Sequence, residues 1–408
     1  MVALHDELKA NGYTGHELEL FLVRLMFLFF ADDTGIFPKD QFAFLMEHRT
    51  REDGSDLGPM LSQVFQVLNM PNDRRMKNLD AEPALLPYMN GGLFSEQLSV
   101  PSFDLPMRRI FLHCCLFLDE LRGEFEKSRG NAGRLRALLG RIAGLKLLDP
   151  ACGCGNFLIL AYRELRLLEI DIHKEIQRLE KHKYLDLQLY RVIDVDAMYD
   201  IEIEEFPSQI ARTALWIMDH LMNVRLSEEF AEYIIRLPLD ATPHIVQANA
   251  LHPDWRDLVK PEELSYILGK PPFVGAKLLD ANQRLDVEFA IGHVPNFGLL
   301  DLVAAWYIKA ADFIAGTGIA VAFVSTNSIT QGEQVGVLWS YLLSCEVRIN
   351  FAHRTFKWTN EAKGVATVFC VIVGFSLKDK ETKTILDYPD IRGGTNPPAC
   401  KEYQPLSD

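Results

Sequence analysis

The sequence predicts an α/β protein, a doubly wound and mainly parallel sheet preceded by a helical N-terminal domain, and three observations carry that prediction. Leu147-Leu-Asp-Pro-Ala-Cys-Gly-Cys-Gly-Asn-Phe157 joins an apolar strand ending in an acid, a glycine-bearing turn and the start of a helix. Downstream, short apolar segments alternate with amphipathic ones, as strands alternate with crossover helices. Upstream, residues 1–105 read as mostly helical.

In order along the chain, Leu18 to Ala31 is apolar nearly all round, broken only by Arg24, and predicts a helix buried between others that stops at Asp32-Asp-Thr-Gly35. A further helix is expected around Leu61 to Leu68, and Pro87-Tyr-Met-Asn-Gly-Gly-Leu-Phe94 reads as a glycine-rich connection. Arg74, Arg75, Lys77, Arg108 and Arg109 either touch a phosphate backbone or, in the plainer reading, face solvent. One helix is expected over Ile110 to Arg141, so that 106–140 connects the first domain to the strand at Gly144 to Leu148. Phe157 to Glu169 continues as helix, and the charged run Asp171 to Asp186 suits an exposed one. A strand over Ala197 to Ile203 leads to a helix reaching about Asn223, with Pro207 in its first position. Further strands are expected at His244 to Ala250, just before Lys270, at Ala320 to Ser325, Cys345 to Ala352 and Val365 to Phe375, with an amphipathic helix over Leu300 to Phe313. The sheet domain then covers 141–376, and 377–408 is a short tail.

Composition narrows the function classes. Hydrophobic content of 48% and charged content of 24% are those of a globular protein with a large core. The net charge of −14 excludes a generally basic nucleic-acid coat, so contact with DNA needs a local basic patch. The longest apolar run, Leu25 to Ala31, is far short of the roughly 20 residues that span a bilayer, so no membrane segment is expected. The start, Met-Val-Ala-Leu-His-Asp-Glu-Leu-Lys9, has no secretory pattern, and an odd number of cysteines, seven, points to a reduced, cytoplasmic chain. Cys114-Cys115 and Cys152-x-Cys154 lack a matching Cys-x-x-Cys pair, so they read as buried thiols and no metal is expected.

The residues that carry chemistry lie at two turns. Gly153 and Gly155 let backbone approach a ligand, and the following helix start offers N–H groups and positive dipole to a carboxylate or phosphate. The spacing is neither the dinucleotide Gly-x-Gly-x-x-Gly nor a phosphate loop with Gly-Lys-Ser/Thr. Asp149-Pro150-Ala151-x-Gly153-x-Gly155-x-Phe157 resembles motif I of DNA amino-methyltransferases, which hold S-adenosylmethionine there; the plainer alternative, a structural strand-turn-helix, leaves the Asp-Pro start and Phe157 unexplained. Glu202, near the tip of the second strand, is placed to accept both hydrogen bonds of a ribose diol. Asn249, after the third strand, is placed to read an adenine edge.

The second turn is Gly269-Lys270-Pro271-Pro272-Phe273. Methylating an exocyclic amino group requires acceptors for both amino hydrogens, so that the nitrogen lone pair turns to the sulfonium methyl, and an aromatic face beneath the base. Amino-methyltransferases use Asn-Pro-Pro-Phe or a near variant on a base flipped out of the duplex. Lys270 stands where that asparagine would be. An ammonium has three donors and no acceptor, and it adds charge beside a cationic sulfonium. Very little methyl transfer is therefore expected, with cofactor binding retained. Asn396-Pro-Pro-Ala399 has similar letters but neither a preceding apolar strand nor a following aromatic.

With both motifs in hand, the chain resembles the MmeI-like single-chain restriction-modification enzymes in their DNA adenine methyltransferase part. The likeness extends to Leu22-Val-Arg-Leu-Met-Phe27, Asp33-Thr-Gly-Ile-Phe37, Asn90-Gly-Gly-Leu-Phe94, Ile201-Glu-Ile-Glu-Glu-Phe-Pro207, Ala211-Arg-Thr-Ala-Leu-Trp216, Val324 to Gln334 and Phe351 to Trp358. The resemblance implies a class I methyltransferase domain behind a helical spacer and S-adenosylmethionine at Asp149, Pro150, Ala151, Gly153, Gly155, Phe157, Glu202 and Asn249. It further implies double-stranded DNA with a flipped adenine at Lys270 to Phe273, and a base side lined by His353, Arg354, Lys357 and Trp358. The chain departs from the family at Lys270. It also lacks the Gly-x-His-Tyr-Thr stretch before Leu116 to Leu121, and 377–408 is too short for a target-recognition domain. The competing expectations are a pseudoenzyme or remnant that binds without turning over, and a methyltransferase that acts on RNA or protein through the same turn.

Overall fold

In a computed structural model of the chain, the described residues are 116–180, 191–230, 241–358, 368–380, 383–387 and 401–403, together with 41–49, 57–70 and scattered positions between 24 and 89. They fall into two compact units, Met1–Ser102 with Glu205–Thr242, and Phe103–Glu204 with Pro243–Asp408.

The first unit begins with α1 (Gln41–His48) and α2 (Leu57–Leu68). Leu61, Val64, Phe65 and Leu68 give α2 an apolar stripe at helical spacing, and all four are buried. Leu28 and Ala31 are helical and buried, and the Arg24 guanidinium lies 4.7 Å from the Phe65 ring centroid. Arg75 differs from expectation: it faces neither phosphate nor open solvent. It donates to the carbonyl oxygens of Val67 and Met70 at the carboxyl end of α2 and to that of Leu86 farther along the chain. The rest of the 18–31 helix, the turn at 32–35, Asn90-Gly-Gly-Leu-Phe94, Lys77, Arg108, Arg109, Cys114-Cys115 and Asn396-Pro-Pro-Ala399 lie outside the described residues.

In the second unit the single helix expected over 110–141 is two, α3 (Leu116–Ser128) and α4 (Ala132–Ala143). Gly130 takes a left-handed φ of 83°, and the Asn131 side chain accepts from Arg134 N as an N-cap. β1 (Leu147–Asp149) and α5 (Asn156–Glu180) follow. The charged run after Asp171 belongs to this same helix as far as Glu180. It is not wholly exposed, because Ile172, His173 and Ile176 continue the buried face. β2 (Met198–Glu202) leads into α6 (Glu205–Phe230), a helix of the first unit that holds Pro207 in its first turn, where a missing N–H costs nothing.

The remaining elements are β3 (His244–Gln247), β4 (Tyr266–Gly269), α7 (Ala281–Ile291), α8 (Leu302–Phe313), β5 (Ala320–Thr326), α9 (Gln334–Ser344), β6 (Arg348–Trp358), β7 (Val368–Ser376), β8 (Thr384–Asp387) and β9 (Lys401–Tyr403). The strands form one sheet in the order β3-β2-β1-β4-β5-β7-β6-β8-β9. Pairing is parallel from β3 to β5, and β7 inserts antiparallel between β5 and β6. The sheet continues past residue 376, because β8 pairs with β6 and β9 with β8.

Strand order reverses on either side of β1, which makes its carboxyl end a crevice between diverging connections. Alternation assigns the two faces. Leu148, Tyr199, Ile201 and Ile267 pack into one core with Val303, Trp306 and Tyr307 of α8. Leu147, Asp149, Met198 and Asp200 project to the opposite face, where α5 packs on β1. Among the described residues no helix is long and apolar enough to cross a membrane.

Candidate functional site

The turn between β1 and α5 is held from three sides. Gly153 and Gly155 adopt φ of 56° and 80°, so glycine is required there by backbone conformation. A Cβ built on Gly153 would meet nothing within 4 Å, so the turn is open to a guest at that point. Asp149 Oδ1 accepts from Ala151 N at 3.0 Å, and the Trp306 indole donates to the Pro150 carbonyl oxygen at 2.9 Å. Cys152 N reaches the Ile201 carbonyl oxygen at 3.4 Å, and Gly155 N closes on the Cys152 carbonyl oxygen at 3.0 Å. Phe157 is buried at the start of α5.

Glu202 stands at the tip of β2, where its Oε2 accepts from Gly153 N at 2.8 Å and its Oε1 from Glu204 N at 3.0 Å. A carboxylate has about four lone-pair positions, so each oxygen keeps one for a further donor. Asn249, two residues past β3, donates from Nδ2 to Asp286 Oδ2 at 2.8 Å and accepts from Leu251 N at 3.1 Å. One amide N–H and one lone pair remain. His252 Nε2 meets the other oxygen of Asp286 at 2.7 Å, so Asp286 on α7 fixes the turn after β3. No sequence pattern marked Asp286.

The second turn lies directly beside the first, since β4 is the parallel neighbour of β1. A Cβ on Gly269 would stand 2.3 Å from Asp149 Oδ1, so any side chain there would have to displace that carboxylate. Lys270 follows, half-buried, with its Nζ 4.4 Å from the Phe273 ring centroid over the face of the ring. Burial pushes the Lys270 ammonium below the usual lysine range. Pro271 is buried, Pro272 exposed, and Phe273 and Val274 pack against the α8 core.

Asp301 holds the far end of this turn. It sits at the N-cap position of α8, yet its carboxylate makes no cap bond. Its Oδ1 accepts from Ala276 N at 2.9 Å, and its Oδ2 accepts from Ser328 Oγ and from Gln334 Nε2 at 2.8 Å. Leu302 N donates to the Val274 carbonyl oxygen at 2.9 Å. Sequence reasoning missed Asp301, because an acid before a helix reads as an ordinary cap.

His353 and Arg354 lie farther off, on β6. His353 pairs in register with Ile372 and Leu386 and is 1% exposed, whereas Arg354 is exposed. β6 runs parallel to β4, so its last residues, Lys357 and Trp358, reach the same carboxyl edge. Three strand spacings from β4 come to about 14 Å. The side chains of Lys357 and Trp358 lie outside the described residues.

The charge at the first turn is acidic. Asp149 and Asp200 are both 0% exposed, and burial raises both carboxyls above the carboxylate range. Burial raises the Cys152 thiol as well and pushes Cys154 up to about 11, so neither is a thiolate near neutral pH. A separate cavity of about 690 Å³ opens at the amino ends of the strands, lined by Arg141, Arg256 and Tyr266. Its arginines are paired with Glu124 and Asp254, which leaves it little charge to offer an anion.

The family model described as MmeI, DNA-methyltransferase domain, matches residues 125–387, and the model for the MmeI helicase spacer domain matches 16–94. The chain belongs to the MmeI DNA-methyltransferase family. It is 35% identical to DNA methyltransferase A of Bacillus subtilis (strain 168), over 97% of this chain and 51% of the relative. It is also similar to the solved structure of the Type IIL restriction-modification enzyme MmeI in complex with DNA, with 46% identity and a TM-score of 0.85, over 98% of this chain and 59% of that one. The chain thus spans between 51% and 59% of the length of these two proteins. The mainly parallel sheet behind a helical N-terminal region, expected from the sequence, is the architecture this MmeI-family chain has.

Proposed function

We propose that this chain is the DNA adenine-N6 methyltransferase part of a restriction-modification enzyme, using S-adenosylmethionine and a flipped adenine, and that Lys270 leaves it binding cofactor with little methyl transfer. The observation that carries the reading is the abutment of the two turns at Gly269 and Asp149, which brings a nucleoside-holding bend and a Pro-Pro-Phe corner to one cleft. Family membership supports DNA as substrate, since the similar MmeI structure is a complex with DNA.

The residues present fit the cofactor. The open space over Gly153, the spare lone pairs of Glu202 and the Oδ2 of Asp149 offer room and acceptors of the right chemistry. When bound, S-adenosylmethionine supplies an electrophilic methyl group. Glu202 would accept from the ribose hydroxyls and Asn249 would offer its remaining N–H and lone pair to the adenine edge. Asp149 and the 150–155 backbone would take the amino-acid end, and Phe157 supports the turn from below. Pro271 and Pro272 stiffen the corner, Phe273 offers its ring to the target base, and Arg354, Lys357 and Trp358 would meet DNA beside His353.

Lys270 is where the chemistry fails. A target amino group needs an acceptor at this position, and the ammonium offers only donors while it covers the Phe273 face. Incorporation of labelled methyl groups into duplex DNA tests this directly. The wild type is expected near background and Lys270→Asn about 10²–10³-fold higher, the usual worth of one well-placed transition-state hydrogen bond. Robust turnover by the lysine form would overturn the reading.

A further inference from the structure

Asn249 is held on both atoms of its amide. Its Oδ1 accepts from Leu251 N at 3.1 Å and its Nδ2 donates to Asp286 Oδ2 at 2.8 Å. Together the two contacts fix which way the amide points. A backbone N–H only donates and a carboxylate only accepts, so a flipped amide would set donor against donor at Leu251 and acceptor against acceptor at Asp286. Asp286 is itself firmly placed. It lies on α7 between a capping box, formed by Asp280 and Gln283, and the buried residues Val287 and Ile291, which share a core with Ala250 and Leu251. Its other oxygen meets His252 Nε2 at 2.7 Å.

The location gives that orientation a use. Gln247 is the register partner of Glu202, and Ala248 N donates to the Glu202 carbonyl oxygen at 2.8 Å. Asn249 therefore stands at the same carboxyl edge, one strand spacing, about 5 Å, from the strand of the acid proposed for the ribose. For a guest the amide keeps one lone pair on Oδ1 and one N–H on Nδ2, each in a set place. The amino edge of adenine carries an N–H donor beside a ring-nitrogen acceptor, which matches that pair. A 6-keto purine has an oxygen where the amino group stood, and this oxygen would confront Oδ1 as acceptor against acceptor.

We propose that Asp286 is a positioning residue that sets the orientation of the Asn249 amide and thereby makes the site select a 6-amino over a 6-keto purine in the cofactor. The inference rests on the reading that this edge holds S-adenosylmethionine with its adenine at Asn249. Asp286 acts through Asn249, since its two oxygens are turned to Asn249 and His252.

The test is calorimetry with S-adenosylhomocysteine and with S-inosylhomocysteine, which carry the 6-amino and the 6-keto purine on the same ribose and amino-acid chain. The wild type is expected to bind the adenosyl compound about 10–100-fold more tightly, the usual worth of one bidentate base contact. Asp286→Ala removes the acceptor and frees the amide to turn, so it is expected to lose most of that ratio. Asp286→Asn still offers Asn249 Nδ2 an oxygen and is expected to keep it. A role confined to holding the turn after β3 would weaken both ligands alike, so an unchanged ratio in Asp286→Ala would overturn the proposal. Equal affinity of the wild type for the two compounds would overturn the role of Asn249 and the proposal with it, leaving the cofactor reading intact. Binding of neither compound by the wild type would overturn the cofactor reading as well. If Asp286→Ala does not fold, Asp286→Leu, close to aspartate in shape and without an acceptor, takes its place.

Discussion

Lys270 sits under two opposed influences. The Phe273 ring favours its charged form, and burial, which dominates, favours the neutral amine. A neutral amine has one lone pair and can accept a hydrogen bond that an ammonium cannot. Residual methyl transfer by the lysine form is therefore expected to rise with pH, beginning below the range where an ordinary lysine loses its proton. Lys270→Asn should be flat over the same range, and initial rates of methyl incorporation measure both. A second residue-scale expectation concerns Gly153: Gly153→Ala has room for its methyl group but must keep a left-handed φ of 56°, costing about 1–2 kcal/mol in a denaturant titration. The places of Asp149, Gly153 and Glu202 at the β1 turn and the β2 tip were legible in the sequence because a motif spacing or a strand tip marks them. Asp200 was not. In Tyr-Asp-Ile-Glu it alternates like any solvent-facing acid, and only its register with Asp149 reveals a buried neighbour of like charge.

At the scale of elements, the Asp301 carboxylate ties the Pro-Pro-Phe turn to the loop after β5 and to α9. Asp301→Ala leaves the Ala276 N–H and the Ser328 hydroxyl without that acceptor, and a loss of about 2–3 kcal/mol is expected by urea unfolding. Hydrogen exchange at the Ala276 amide should accelerate, while exchange in α5 should not. Within α5 the enclosed Arg166 and Glu169 pair at 2.8 Å, and Glu169 also accepts from Val192 N and Ile193 N. Burial raises the Glu169 carboxyl, with Arg166 the largest opposing influence. Arg166→Met should cost about 3–5 kcal/mol near neutral pH, since it leaves a buried carboxylate unpaired. The native state then holds the Glu169 proton more tightly than the unfolded chain, so the loss should shrink as pH falls toward 5. The helix break at Gly130-Asn131 shows where element boundaries escaped the sequence: apolar spacing runs on through a corner that only capping residues mark.

For the whole molecule, the doubly wound order followed from strands alternating with helices, and it is what brings β1 and β4 side by side at the site. The antiparallel insertion of β7 and the added strands β8 and β9 had no such signature, because a short apolar run does not record its direction or its neighbour. Charge is also a property of the whole. With a net charge of −14, any grip on duplex DNA must come from a local basic patch working against the rest of the surface. Binding of duplex DNA by the proposed methyltransferase is expected to weaken steeply between about 50 and 200 mM salt, linearly in log–log form. A fluorescence anisotropy titration with no salt dependence would mean that phosphates are not being gripped.

Gly269 has no side chain because Asp149 fills that space. The two halves of the cleft therefore share a wall one atom thick. A bulkier residue at position 269 would be entered in any mutational survey as damage to the proposed base-handling corner. The first thing it would dislodge is the acid across the wall, and under the proposed function the injury would surface as lost cofactor affinity before any base was touched.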